Sequence, residues 1–307
     1  MLRFLTRIFD NSLSNTKGTV SFILSLIAAA FYSVASAMLS RTLKNRHPGG
    51  DLPAASSTLG AANDTTVVPP EHSVSQMHRF TLICASVAVV LHGWVVIHQT
   101  GLPYGLSLPL FTSVSATTLM IVLLLIVLCL RQPADYLGLA VYPLAAVSLI
   151  VSQASGGGTP IVGDAVQLHV FLSLIAYGIL TLAAAQAVLV AVQRHFLATH
   201  KPIGFMRALP PLDTTERLLF TLLTAGFTML SFALLSGFIY LDDMFNQRMV
   251  HKTILACTGW GIFGVLLLGR WQFGWRGKKA VHWTLAGFAV LILAYFGTKL
   301  VIEFLLN

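Results

Sequence analysis

Apolar residues in this chain fall in long, nearly unbroken runs, and polar residues gather in the short gaps between them. A run of roughly 20 apolar residues is what an α-helix needs to cross the hydrocarbon core of a bilayer. Eight runs meet that length, at about 19–40, 79–99, 109–130, 136–153, 167–193, 217–240, 251–270 and 281–304. The third is the plainest and ends in the unbroken stretch from Met120 to Leu130. The fourth is the shortest and contains Pro143, whose freed backbone carbonyl neighbouring helices can satisfy. The pattern predicts an all-α polytopic membrane protein with about eight transmembrane helices, forming a single transmembrane domain over 19–307.

Two segments stand outside the pattern. Residues 1–18 are basic, and Leu2, Phe4, Leu5, Ile8 and Phe9 suit a short helix lying in the membrane interface. Residues 45–77 are rich in Gly, Pro, Ala, Ser and Thr without an apolar period, and read as a flexible loop.

Composition agrees with a lipid-facing surface. Hydrophobic residues make up 56% of the chain and charged residues only 10%, too few to cover a water-facing surface. The net charge of +8 is a matter of where the basic residues sit. The loops after the first, third, fifth and seventh runs hold Arg41, Lys44, Arg46, Arg79, Arg131, Arg194, Lys201, Arg207, Arg217, Arg270, Arg276, Lys278 and Lys279, against Arg248 and Lys252 in the intervening loops. Basic loops stay in the cytoplasm, so both termini are expected outside. This pattern sets topology and gives no support to nucleic-acid binding. Ala35-Ser36-Ala37 resembles a signal-peptide cleavage site. A cleaved signal would invert every later loop, so a retained first span is expected.

Cys84, Cys129 and Cys257 lie inside apolar runs, with no CxxC or CxxCH among them, and read as small buried side chains. No hydrolytic or nucleotide-binding motif is present, and the adjacent Asp242 and Asp243 cannot share a helical face. The chain is therefore expected not to be an enzyme.

Histidines carry the remaining chemistry. In this topology His92, His98, His169 and His251 all fall in the outer half of the bilayer or at its edge. Imidazole is a good axial ligand for haem iron and other transition metals. His98 is equally a side chain snorkelling at a helix end, and His251 admits both readings. His92 is embedded, between Leu91 and the segment Gly93 to Ile97. His169, Ser173, Tyr177 and Thr181 recur every four residues, which places a polar stripe on one face of an apolar helix. Ser173 and Tyr177 are candidates to orient the imidazole, and an interhelical hydrogen-bond seam is the structural alternative. His195, His200 and His282 are assigned to the interface or solvent.

An ordered set of short matches runs from about residue 167 to the end. They are His169-Val170 with Tyr177; Leu209 to Asp213 followed by Glu216-Arg217; Gly226-Phe227 and Leu235 to Gly237; Lys252-Thr253 with Trp260; Gly274 to Lys279; and Gly287-Phe288 with Tyr295 to Gly297. In this set the chain resembles the cytochrome c assembly family, which includes the CcsA haem exporters and the HemX-like proteins. The resemblance implies an inner-membrane location and a haem-handling or accessory role in cytochrome c maturation. Non-covalent haem b would be the cofactor, and lipid, haem and cytochrome c maturation proteins the partners. It makes His169 a match to an outer-side haem ligand and His92 a counterpart of the embedded ligands, and position alone makes His251 a candidate for a missing second one. Two departures stand against a complete haem platform. The stretch Asp242 to His251 lacks the family's tryptophan-rich motif, and no histidine follows the last run. They favour the alternative, a non-enzymatic interaction or scaffold protein that keeps the fold without haem. No inverted repeat favours a transporter.

The charge pattern makes a direct topological prediction. Alkaline phosphatase fused after Gly157 should be active, and fused after Gly60 inactive. The reverse pattern would overturn the assignment of both termini to the outside.

Overall fold

A computed structural model of the protein describes residues 2–45, 71–101, 107–154, 164–199, 209–240 and 247–297. Among them every regular element is helical. The helices are α1 (Leu2–Asn45), α2 (Glu71–Thr100), α3 (Leu110–Cys129), α4 (Gly138–Ser152), α5 (Asp164–Ala198), α6 (Leu212–Tyr240), α7 (Gln247–Phe273) and α8 (Lys278–Ile292). A 3₁₀ turn, Asp135–Leu137, leads into α4, and a π turn, Leu293–Gly297, continues α8. Seven segments are long and apolar enough to cross a membrane, the fourth being Asp135–Ser152 with its 3₁₀ turn included. The described part of the eighth expected span is the 15-residue α8 and its five-residue π turn. The protein is a polytopic helical membrane protein.

Two details differ from the sequence pattern. Helix α1 runs unbroken from Leu2, so the basic segment 1–18 continues directly into the first span. Helix α2 begins at Glu71, inside the stretch 45–77 read as a loop. His78 on this early turn pairs with Asp135 at 3.3 Å and anchors it to the start of α4. Most of the loop, 46–70, lies outside the described residues.

Packing divides the helices into two groups of four. Helices α1 to α4 form one ring, with α1 against α2 and α4, and α3 against α2 and α4. Helices α5 to α8 form another, with α5 against α6 and α8, and α7 against α6 and α8. The rings meet mainly through α3 and α5. Small residues make the contacts: Ala28, Ala29, Ala35, Ala85, Ala88, Ala145, Ala176, Ala183 and Ala187 are all buried, while Val90, Ile83, Ile97 and Phe171 are exposed. Lipid is as apolar as leucine, so burying large side chains gains little there. Close backbone approach is what holds the helices together.

Polar bonds seal the basic-loop end of the second ring. Gln186 on α5 donates to the Thr215 carbonyl at 2.9 Å and accepts from the Tyr136 hydroxyl at 3.3 Å. Thr215 donates to Gln193 at 2.8 Å, and Arg194 pairs with the buried Glu216 at 3.2 Å. This cluster ties α5, α6 and the turn before α4 into one unit.

Gly178 marks the junction of the rings. A Cβ there would sit 2.8 Å from Leu124 and 3.4 Å from Met120, both on α3. Gly178→Val should therefore lower thermal stability in detergent by about 1–3 kcal/mol, the usual cost of overpacking. Gly93→Ala, whose new methyl would meet nothing closer than 3.9 Å, should leave the melting curve unchanged. Equal melting of both variants would contradict the packing.

Candidate functional site

Two polar centres occupy the histidine end of the molecule, one in each ring. The first is built on His92 of α2, which is wholly buried. Its Nδ1 lies 3.2 Å from the Tyr32 hydroxyl on α1, and its Nε2 lies 2.9 Å from the Ser115 hydroxyl on α3. A neutral imidazole donates through one nitrogen and accepts through the other, and hydroxyls can serve either end. In both tautomers the two nitrogens are used. Tyr32 stacks on Tyr142 of α4 at 6.2 Å, so all four helices of the ring meet at this level.

Buried hydroxyls of the ring concentrate on one side of this layer, with Thr42 and Thr81 on the other. Ser21, Ser25, Thr100, Thr112, Ser113, Ser115, Thr117, Thr118, Ser148 and Ser152 are buried toward the histidine end. Thr118 and Ser148 bridge α3 and α4 at 2.6 Å, and Gln153 donates to Ser25 at 2.6 Å. Beyond the layer the lining changes to Ala35, Leu39, Leu43, Ala85, Val122, Leu125 and Val141. Most hydroxyls also bond the carbonyl three or four residues back, as in Thr117 to Ser113 at 2.7 Å. That bond satisfies a polar group without water.

The second centre is built on His169, near the start of α5. The side chain is partly buried. Its Nδ1 lies 2.9 Å from the Ala233 carbonyl and 3.1 Å from the Ser236 hydroxyl, both on α6. A carbonyl only accepts, so Nδ1 carries the proton and shares it between the two oxygens. The Ser236 hydroxyl is itself committed to the Ala233 carbonyl at 2.8 Å. The lone pair therefore resides on Nε2, which bonds no partner among the described residues. Fixing one nitrogen as a donor to a carbonyl is how proteins orient an imidazole whose other nitrogen is to bind a metal.

The rest of the stripe serves other ends. Ser173 donates to the His169 carbonyl at 2.8 Å, and Thr181 to the Tyr177 carbonyl at 2.7 Å. Tyr177 reaches α8, donating to the Leu291 carbonyl at 3.2 Å, with its ring 5.6 Å from that of Tyr295. Tyr295 lies in the π turn. The imidazole is thus held by Ala233 and Ser236, and Ser173 and Tyr177 hold backbone beside it.

The two centres share a level but not a space. Gly178 on α5 lies against Met120 and Leu124 on α3. These helices run parallel, so nine residues back along each brings His169 level with the region of Ser113 and Ser115. His92 bonds Ser115 from inside the first ring, while His169 bonds α6 in the second. His98 is exposed, its ring 5.1 Å from Trp94, as suits an interface residue. His251 lies in the first turns of α7, and its side chain is outside the described residues. Among the described residues no three His, Cys, Asp or Glu side chains group as a metal site.

An axial haem ligand needs an imidazole nitrogen with a free lone pair that a porphyrin can reach. His169 meets the first part of that requirement, because its Nε2 bonds no partner among the described residues. His92, buried and bonded at both nitrogens, does not fit it in this arrangement. Sequence reading missed Tyr32, Ser115, Ser236 and Gln186, whose partners are 60, 23, 67 and 29 residues away. A polar residue inside an apolar run was the only signal for Tyr32, Ser115 and Gln186, while Ser236 also stood in the matched segment Leu235 to Gly237.

Comparison with known proteins extends the resemblance seen in the second half. A family model described as cytochrome C assembly protein matches residues 80–306, reaching back through α2, α3 and α4. The chain is 30% identical to the inner membrane protein YpjD of Escherichia coli (strain K12) over 233 residues, covering 73% of this chain and 86% of that one. An uncharacterized 28.8 kDa protein of Azospirillum brasilense is 34% identical over 153 residues, 49% of this chain and 56% of its own length. The cytochrome c biogenesis protein CcsA of Prochlorococcus marinus (strain NATL1A) is 30% identical over 102 residues, 33% of this chain and 31% of that protein. No solved structure matches the chain. On the extent of the family match and the coverage of its YpjD relative, the chain belongs to the cytochrome c assembly protein family.

Proposed function

We propose that this chain is an inner-membrane haem-binding or accessory protein of cytochrome c maturation, and that His169 supplies an axial ligand from the outer side. The observation that carries the reading is the state of the His169 ring: Nδ1 donates to the Ala233 carbonyl at 2.9 Å and Nε2 keeps its lone pair. Family membership and likeness to a cytochrome c biogenesis protein support the pathway. Likeness to an inner membrane protein supports the location. The role is not enzymatic. The residues bind and orient, and bound haem b would supply iron with two axial positions.

Each residue has a distinct task in this reading. His169 offers Nε2. Ala233 and Ser236 fix the tautomer and the ring angle. Tyr177 holds α5 to α8 below the ligand. His251, at the start of α7, is the candidate for a second histidine that would hold haem. His92 is assigned to holding α1, α2 and α3 together.

A second reading has its own support. The stretch Asp242 to His251 has no tryptophan, although the resembled haem exporters carry a tryptophan-rich motif there. In this reading the chain keeps the fold and acts as a membrane scaffold for another protein.

Haem titration of the purified protein separates the two. The first reading expects a Soret band that His169→Ala weakens by roughly tenfold or more in affinity. Ser236→Ala should weaken it by less than about tenfold, below the roughly 10- to 100-fold usual for orienting groups, because the Ala233 carbonyl still accepts from Nδ1. Absence of a Soret band after haem loading would sink the first reading and leave the scaffold.

A further inference from the structure

The turn between α7 and α8 concentrates positive charge that no ion pair among the described residues balances. Arg270, Arg276, Lys278 and Lys279 lie within ten residues. Gly274 and Gly277, at φ of 62° and 63°, fold the chain back between the helices. Arg276, Lys278 and Lys279 are exposed. The ion pairs of the described residues are His78 with Asp135, Arg194 with Glu216, and Arg217 with Asp213. None involves the turn. Arg270 donates to the Trp275 carbonyl at 3.3 Å and lies 4.5 Å from the Phe220 ring. Lys279 lies 5.5 Å from the Trp275 ring. These are contacts to a carbonyl and to aromatic faces, and none neutralises charge.

The turn is also rigid. Trp275 packs on Gly269, where a Cβ would come within 2.5 Å of the indole, and faces Trp283 at 5.6 Å. Arg194 of α5 abuts Gly277, where a Cβ would meet its guanidinium at 2.5 Å. Its Nε is buried without a partner among the described residues. Arg270 and Lys279 are thus held in place, and Arg276 and Lys278 stand exposed beside them, open to an anion.

The surroundings indicate which anion. Trp271 and Phe273 are 81% and 72% exposed at the end of α7. Exposed aromatic rings at a span end sit at headgroup depth in the bilayer. The loop is on the side that basic residues mark as cytoplasmic, where the anionic lipids of a membrane attract basic segments. We propose that this turn is a binding site for an anionic phospholipid: the cations take the phosphodiester headgroup, and Trp271 and Phe273 lie along its acyl chains.

The test is lipid retention by the full-length protein, read by native mass spectrometry after exchange into mixed phosphatidylglycerol and phosphatidylcholine. The site predicts preferential retention of phosphatidylglycerol. The double variant R276Q/K278Q removes two exposed charges, and at roughly fivefold per basic residue it should weaken retention on the order of 25-fold. The comparator R41Q/K44Q, removing two exposed charges from the end of α1, should retain it. R276K/K278R, which keeps both charges, should also retain it. Equal losses in R276Q/K278Q and R41Q/K44Q would overturn the proposal in favour of diffuse attraction. No preference over phosphatidylcholine would overturn it as well, as would full displacement of the lipid by inorganic phosphate.

Discussion

The constraint on which this structure rests is that a polar group inside the bilayer must find its partner within the protein. Water is absent from the hydrocarbon core, and an unpaired donor or acceptor there costs several kcal/mol. Most buried side-chain polar groups among the described residues meet that demand. Serines and threonines bond the carbonyls of their own helices, as in Ser113, Thr117 and Thr181. Groups that cannot do so bridge helices, as Gln186 and Gln193 do at one end and His92 does in the first ring. Those bridges specify which helices are neighbours. Close packing of alanine and glycine then fixes how near they lie.

Against that background the two embedded histidines mean different things. His92 is fully spent: both nitrogens are bonded and three helices depend on it. His169 is half spent, with Nδ1 committed to α6 and Nε2 bonded to nothing among the described residues. The proposed ligand role of His169 rests on that asymmetry. Depth in the membrane does not distinguish them, since the α3–α5 junction puts them level. The distinction lies in hydrogen bonding alone.

Much of the fold was legible in the sequence, because span length is a one-dimensional property. The run from Met120 to Leu130 and the short fourth span were recognisable from composition. The stripe of His169, Ser173, Tyr177 and Thr181 was legible for the same reason, being periodic along one helix. What was not legible was pairing. Ser236 is 67 residues from His169 and Tyr32 is 60 from His92, and no local pattern announces either. Ser173 and Tyr177 were read as groups orienting the imidazole, yet the groups that hold it come from α6. The early start of α2 was hidden by the polar character of residues 71–78, where His78 contacts Asp135 at the start of the fourth span. The family resemblance, seen from about residue 167, reaches back to residue 80.

The central claim is that His169 is oriented to give one nitrogen to iron while His92 is not. Chemical rescue tests it most directly. His169→Gly removes the ring and leaves a gap at the end of α5. The account predicts that the haem absorption of this variant is lost and returns when free imidazole is added, because imidazole can enter the gap and supply the missing nitrogen. Undiminished haem absorption in His169→Gly without imidazole would contradict the account.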